Sequence, residues 1–162
     1  MQMAVIIAGG RGTRLAPVTC NTPKPLVDVN GLPFIHYLIR QAEAAGLTKV
    51  LILAGYLGEQ FQAFVEKHAN DFPRTEITVH ISDPELNTGA RLLAATHLLA
   101  ENFLFLYGDN YAPIDLTRYL QRYEADSSHS RVVVYENYDG YSRSNVLIRT
   151  DFSVSAYGVK VP

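Results

Sequence analysis

Residues 4–26 near the amino terminus place the strongest constraint on the fold and chemistry of this chain. Residues 5–7 form a charge-free β-branched run, which predicts a strand covered on both faces of a sheet. The run breaks at once into glycines, which permit a tight turn and bring backbone N–H groups close to a ligand. Three cations, Arg11, Arg14 and Lys24, surround this loop. Because such an arrangement suits a polyphosphate better than a single carboxylate, we predict a nucleotide site.

Two familiar kinds of glycine loop are excluded by spacing. A P-loop requires a lysine and then a serine or threonine directly after its last glycine, whereas Gly12 is followed by Thr13 and Arg14. A dinucleotide-binding fingerprint requires a glycine at the position of Leu15 and an acidic residue at the end of the second strand, where this chain has alanine and glycine. From the glycines alone, the remaining alternative is a turn with surface cations and no ligand.

The sequence GGRGTRLAPVT, followed by PKPL, strongly resembles the signature of the sugar-phosphate nucleotidylyltransferases, which make NDP-sugars from an NTP and a sugar 1-phosphate. The resemblance implies that Arg14 binds the leaving pyrophosphate and that Lys24 contacts the reacting phosphates. The loop residues that it implies for nucleotide binding are Ala8, Gly9, Gly10, Arg11, Gly12 and Thr13. The PKP sequence and the following NGLPFIHYLI are most similar to the mannose or heptose 1-phosphate guanylyltransferases, so GTP is the favoured NTP.

Strands and helices alternate along the chain. Further strands are predicted at residues 49–54, 76–81 and 103–107, and at 131–135, 145–148 and 154–157. Amphipathic helices are predicted at residues 33–46, 58–70, 90–99 and 116–123. Alternation of this kind indicates an α/β fold, and with the resemblance it implies a Rossmann-like α/β/α sandwich with a mostly parallel central sheet. The ligand is then expected at the carboxyl ends of the strands.

A loop at residues 82–90 carries the second predicted part of the site. By resemblance it shapes the pocket for the base and ribose, and Asn87, Thr88 and Gly89 are predicted to bind the nucleotide. Asn87 stands where relatives have glycine, and asparagine tolerates a left-handed backbone better than most residues. Thr88 can alternatively be interpreted as the N-cap of the following helix.

A carboxylate, Asp109, follows Gly108 at the end of the fourth long strand. The resemblance implies that Asp109 holds Mg²⁺ on the nucleotide phosphates, and Mg²⁺ prefers carboxylate, water and phosphate oxygens. The alternative is a turn or cap residue. His36 is predicted to lie off the apolar stripe of the first helix and receives no role. Lys160 falls roughly where many relatives carry a lysine that meets the sugar phosphate.

The length, apolar fraction, net charge and cysteine content of the chain limit the kind of protein it can be. The chain has 162 residues, of which 48% are apolar, and we expect one nucleotidyltransferase-type domain over residues 1–162. The resemblance implies that this domain is incomplete at its carboxyl-terminal end. A net charge of −2 gives no diffuse attraction to nucleic acid. The single Cys20 agrees with a reducing compartment, and the absence of a signal peptide or an apolar run of about 18 residues predicts a cytoplasmic protein with no membrane partner.

These observations favour one function and leave one alternative. The favoured function is Mg²⁺-dependent nucleotidyl transfer from an NTP to a sugar 1-phosphate, which gives an NDP-sugar and pyrophosphate. The alternative is a nucleotide-binding module without efficient turnover. Whether the chain forms a homo-oligomer is left open.

Overall fold

The structure, a computed structural model, describes residues 1–125, 130–138, 140 and 144–158. The chain divides into two compact units, Met1–Asp126 and Ser127–Pro162. The candidate Lys160 lies outside the described residues.

The secondary structure alternates as the sequence predicts. In chain order the strands are β1 (Met3–Ala8), β2 (Asp28–Val29), β3 (Leu32–Pro33), β4 (Lys49–Ala54), β5 (Glu76–Ile81), β6 (Phe103–Tyr107), β7 (Val146–Ile148) and β8 (Val154–Tyr157). The α-helices are α1 (Phe34–Ala44), α2 (Glu59–His68), α3 (Thr88–Ala94) and α4 (Leu116–Ala125). Short 3₁₀ turns add Thr13–Leu15, Val18–Cys20, Lys24–Leu26, Ala69–Asp71 and Thr96–Leu98.

A parallel sheet of four strands forms the centre of the first unit, in the order β5-β4-β1-β6. The chain runs outward from β1 through β4 to β5 and then returns to place β6 on the other side of β1. In open α/β sheets a ligand binds at the carboxyl ends of the strands where the strand order reverses. In this sheet that point lies between β1 and β6.

Two hydrophobic cores cover the two faces of this sheet. Residues of β1 alternate between them: Ala4 and Ile6 belong to the core formed with α1, α2 and α4, whereas Val5 belongs to the core that includes Ala95, after α3. Complete burial of a larger aliphatic side chain, such as that of Ile6, stabilises the folded state by roughly 1.5–3 kcal/mol. Helices therefore lie on both faces, and the predicted α/β/α arrangement is confirmed.

The first helix follows its predicted pattern except at one residue. Its apolar stripe is buried, and Gly46 follows the helix in a left-handed conformation with φ +87°. His36 was predicted to lie off this stripe, and that prediction is wrong because only 1% of its surface is exposed. The segment after α2 covers it, and the ring of Phe72 lies 4.7 Å from the His36 ring.

The second unit contains an antiparallel pair formed by β7 and β8, with a register shift between Leu147 and Ile148. These two strands match the predictions for residues 145–148 and 154–157. The strand predicted at residues 131–135 is wrong, since the structure gives this described segment no strand. Three consecutive valines favour an extended backbone, but a strand also needs a neighbouring ladder. Of the helices in the described part of the chain, none has the length and apolarity that a membrane crossing requires.

Candidate active site

A cavity of about 280 Å³ opens at the carboxyl ends of β1 and β6, at the reversal point of the sheet. Its walls come from the end of β1, the glycine loop, the Lys24 turn, the start of α3 and the end of β6. The predicted site residues that line it are Ala8, Gly10, Gly12, Thr13, Arg14, Lys24, Thr88 and Asp109. The structure also describes the other predicted residues, but they do not line this cavity: Gly9, Arg11, Asn87 and Gly89.

Gly12 shapes the loop that follows β1. Its backbone is left-handed, with φ +65°, and a Cβ added there would lie 3.1 Å from a Thr19 side-chain carbon and 3.2 Å from Lys24 Cβ. The hydroxyl of Thr19, which is 2% exposed, donates to the carbonyl oxygen of Gly12 at 2.8 Å. Glycine thus allows the loop to pack directly against the turns that carry Thr19 and Lys24.

Gly108 brings the end of β6 against the end of β1. Its N–H donates to the carbonyl oxygen of Ile7 at 2.8 Å. A Cβ at this position would lie 2.7 Å from the same oxygen and 3.0 Å from Pro25 Cγ, which leaves no room for a side chain. The close approach places the next residue, Asp109, beside the turn at Lys24–Leu26, which contains the lysine of the PKP sequence and is called the PKP turn below.

Lys24 and Asp109 form an ion pair in the cavity. Lys24 Nζ donates to Asp109 Oδ2 at 2.8 Å, and their side chains are 30% and 34% exposed. Asp109 offers the hard carboxylate oxygen that Mg²⁺ prefers, and the neighbouring cavity has room for the phosphate and water oxygens that usually complete its coordination. The donor set therefore fits a divalent cation bound through one protein carboxylate.

Arg11 connects the glycine loop with the loop between β5 and α3. Its Nε donates to Glu85 at 3.2 Å, and its guanidinium carbon lies 5.5 Å from the centre of the Tyr56 ring. The Glu85 carboxylate raises the pKa of the Arg11 guanidinium. Arg11 and Glu85 are both exposed, so this contact lies at the surface beside the cavity.

Asn87 and Thr88 begin α3. The Asn87 side chain accepts a hydrogen bond from the N–H of Ala90 at 2.9 Å, so Asn87 is the N-cap. The alternative interpretation of Thr88 as the N-cap is therefore wrong. Asn87 has φ −69°, an extended conformation, so the asparagine at this position needs no left-handed backbone.

Arg91 is a residue that the sequence analysis missed. It is 2% exposed, and its Nη1 donates to the carbonyl oxygen of Ala54 at 2.7 Å and to the Ser82 hydroxyl at 2.6 Å. Its Nη2 donates to the carbonyl oxygens of Asp83 at 3.1 Å and Leu86 at 3.0 Å. Burial lowers the pKa of this guanidinium. Arg91 thus ties the loop between β5 and α3 to the end of β4.

Two glycines make room for the Arg91 guanidinium. A Cβ at Gly9 would lie 2.2 Å from it, and a Cβ at Gly55 would lie 2.5 Å from it. The glycine at position 9, predicted from the loop motif alone, is thus also required by a contact behind the loop. The signal that sequence reasoning passed over is an arginine in an otherwise apolar helix, TGARLLA, directly after the predicted base loop.

Comparisons with known proteins identify the family. Residues 3–151 match the model of the Nucleotidyl transferase family. The chain is 33% identical over 152 residues to choline-phosphate cytidylyltransferase of Streptococcus pneumoniae, covering 90% of this chain and 63% of that protein. It is 28% identical over 121 residues to D-glycero-alpha-D-manno-heptose 1-phosphate guanylyltransferase of Aneurinibacillus thermoaerophilus, covering 74% of this chain and 51% of that protein. The chain thus spans less than two thirds of the length of either relative.

A solved structure agrees with this result. HddC from Yersinia pseudotuberculosis complexed with GMP-PN superposes with a TM-score of 0.75 at 27% identity, covering 99% of this chain and 70% of that chain. The predicted Rossmann-like fold of the nucleotide-diphospho-sugar transferases is confirmed. Because the family match runs from residue 3 to residue 151, this chain belongs to the nucleotidyl transferase family.

Proposed function

We propose that this chain catalyses nucleotidyl transfer, in which an NTP and a sugar 1-phosphate give an NDP-sugar and pyrophosphate. The observation that carries the proposal is the Lys24–Asp109 pair, 2.8 Å apart, in a cavity that Arg14 and the glycine loop also line. To bind and activate a nucleoside triphosphate, a protein needs cations, a carboxylate for the metal ion and backbone N–H donors, and this cavity brings all three together.

The proposed reaction is an in-line displacement at phosphorus. A phosphate oxygen of the sugar 1-phosphate forms a bond to the α-phosphorus of the NTP, while the bond from that phosphorus to the bridging oxygen of the β-phosphate breaks. Pyrophosphate leaves with the electron pair of that bond. No covalent enzyme intermediate is needed, and the ionised phosphate nucleophile needs no proton removed. Catalysis is then positioning and charge neutralisation.

Each residue of the cavity has a role in this proposal. Lys24 binds the reacting phosphates, and Arg14 binds the pyrophosphate that leaves. The loop that includes Gly10 and Gly12 supplies backbone N–H donors. Asp109 would hold Mg²⁺, which when bound neutralises charge on the phosphates. Since Lys24 and Asp109 neutralise each other in the nucleotide-free protein, substrate and cation together would replace one ion pair with two new contacts.

The loop between β5 and α3, with Thr88 in the cavity wall, is proposed to contact the base and ribose. We propose GTP as the nucleotide, because one relative is named a guanylyltransferase and the HddC structure contains GMP-PN. We treat residues 1–162 as part of one nucleotidyltransferase domain, which the match over residues 3–151 supports. The single cysteine supports the cytoplasm as the compartment.

A coupled pyrophosphate-release assay tests the proposal. The chain is incubated with Mg²⁺ and each of the four common NTPs, paired with mannose, heptose and glucose 1-phosphates, and with phosphocholine because of the named cytidylyltransferase relative. We expect pyrophosphate release that requires both substrates and is greatest with GTP and a hexose or heptose 1-phosphate. Nucleotide binding without pyrophosphate release from any pair would favour the alternative, a binding module without turnover.

A further inference from the structure

A cluster of two histidines and one aspartate joins α1 to the end of α2. His36 Nε2 lies 3.1 Å from Asp71 Oδ2, and His68 Nδ1 lies 2.7 Å from the same oxygen. His36 comes from the first turn of α1, whereas His68 ends α2 and Asp71 lies in the 3₁₀ turn that follows. Two chain segments distant in sequence therefore bring three potential metal ligands to one point.

Two of the distances between the three ligand atoms are close to those in a small transition-metal site. All three lie within 4.8 Å of one another. A tetrahedral Zn²⁺ site with bonds of about 2.0–2.1 Å separates its ligand atoms by roughly 3.3 Å. The distance of 3.1 Å between His36 Nε2 and Asp71 Oδ2 is already close to that value. The distance of 2.7 Å at His68 would have to widen by about half an ångström, which the exposed side chain of Asp71 permits.

The cluster is preorganised on one side and open on the other. His36 is 1% exposed and packs against the ring of Phe72, and this packing holds its ring with Nε2 towards Asp71. The Asp71 side chain is 43% exposed, which leaves a route for an ion and for a water molecule as a further ligand. Among the described residues that line the active-site cavity, none belongs to this cluster.

We propose that His36, His68 and Asp71 form a second metal site, separate from the nucleotide site, for a divalent ion that accepts nitrogen ligands, such as Zn²⁺ or Co²⁺. Two imidazoles with one carboxylate favour such ions over Mg²⁺, which prefers oxygen ligands. In the metal-free protein each imidazole donates an N–H to the Asp71 carboxylate, because an ionised carboxylate only accepts. When the metal binds, each imidazole coordinates through the nitrogen that carried this proton, and the proton moves to the other ring nitrogen. The metal thus replaces the two hydrogen bonds and joins α1 to the end of α2. This proposal does not depend on the proposed function.

Co²⁺ titration of the full chain, followed by visible absorption, tests the site. The background carries Cys20→Ser and Asp109→Asn, which remove an exposed thiolate and the active-site carboxylate as competing ligands. We expect one equivalent of Co²⁺ to bind. His68→Gln and Asp71→Asn should each weaken binding by about a hundredfold, because even the loss of an outer-shell partner costs roughly 10–100-fold in metal affinity.

His97→Gln is the matched control. His97 is exposed and pairs edge-on with His80 at 5.9 Å, but belongs to no group of three metal ligands within the described residues. This variant should bind Co²⁺ like its parent. Circular dichroism confirms that each variant folds, and His68→Gln is preferred to a change at His36 because His36 is buried.

Thermal unfolding gives an independent readout. Zn²⁺ should raise the midpoint of the parent and of His97→Gln, and it should leave His68→Gln unchanged. The proposal is overturned if the parent binds no Co²⁺ at millimolar concentration, or if His68→Gln and Asp71→Asn bind it as tightly as the parent. Either result would make Asp71 a carboxylate that only anchors two imidazoles.

Discussion

The ammonium of Lys24 lies 2.8 Å from the carboxylate of Asp109, although 85 positions separate the two residues in the sequence. Two local features produce this pairing. The PKP turn presents Lys24 beside the glycine loop, and Gly108 lets the end of β6 approach the backbone of Ile7 closely enough to place Asp109 opposite it. Two charged groups of opposite sign thus meet at the point where the strand order reverses.

Lys24→Ala should abolish productive phosphate binding and leave the fold intact. Loss of one preorganised charge contact of this kind costs on the order of 3 kcal/mol, or about a hundredfold or more in rate. Pyrophosphate release and nucleotide titration measure the effect, and circular dichroism checks the fold. Lys67→Ala, at an exposed position of α2, is the matched control and should change neither. Parent-like turnover by Lys24→Ala would make Lys24 a surface residue without a catalytic role.

Asp109→Asn should weaken nucleotide binding when Mg²⁺ is present and change metal-free binding little. The amide keeps the shape of the side chain but loses the charge that a divalent ion needs. Titrations with and without Mg²⁺ measure the difference. Asp115→Asn is the control, since Asp115 accepts a hydrogen bond from the N–H of Arg118 as an N-cap and asparagine caps equally well. Equal losses with and without metal would indicate that Asp109 is a structural turn residue.

Arg91→Met should destabilise the chain by about 2 kcal/mol or more and weaken nucleotide binding. The substitution removes the charged hydrogen bonds from the guanidinium to the carbonyl oxygens of Ala54 and Leu86, and each such loss costs roughly 1–3 kcal/mol. Arg91→Lys should not restore the parent stability, because an ammonium cannot reproduce the forked geometry of a guanidinium. Denaturant unfolding measures the free energy of unfolding of each variant, and Arg118→Met, at an exposed position of α4, is the control. Parent-like stability of Arg91→Met would refute the anchoring role.

Gly108→Ala should reduce both stability and Mg²⁺-dependent nucleotide binding. Its Cβ would lie 2.7 Å from a backbone oxygen, so β6 must move away from β1 and carry Asp109 with it. We expect a cost of about 1–3 kcal/mol, as for other overpacked sites. Gly89→Ala is the comparison for stability, because its Cβ would meet nothing closer than 3.6 Å and alanine favours the helix. If both variants were equally stable, the close approach at Gly108 would be unimportant.

Much of this architecture could be predicted from the sequence because the signals were local. The β-branched run of β1, the apolar stripe of α1 and Gly46 at its end each follow from periodicity and backbone preference. The strand-end position of Asp109 followed from the same signals, so its presence in the cavity was predictable.

Contacts between distant segments could not be predicted in this way. The burial of His36 depends on the turn after α2, and the role of Arg91 depends on space left by two glycines, one just after β1 and one just after β4. Neither leaves a periodic signal in its own segment. The valines at residues 132–134 show the opposite error: their local preference favours a strand, but no strand of the described residues pairs with them.

We propose that this cavity transfers a nucleotidyl group and does not only bind a nucleotide. The most direct measurement follows the α-phosphate: the chain is incubated with Mg²⁺, a hexose or heptose 1-phosphate and GTP labelled at that phosphorus. We predict that the label enters a GDP-sugar, with one pyrophosphate released per transfer, and that Lys24→Ala stops the conversion. Label that stays in GTP, or that appears as GMP or GDP without a sugar conjugate, would show that the cavity does not catalyse this transfer.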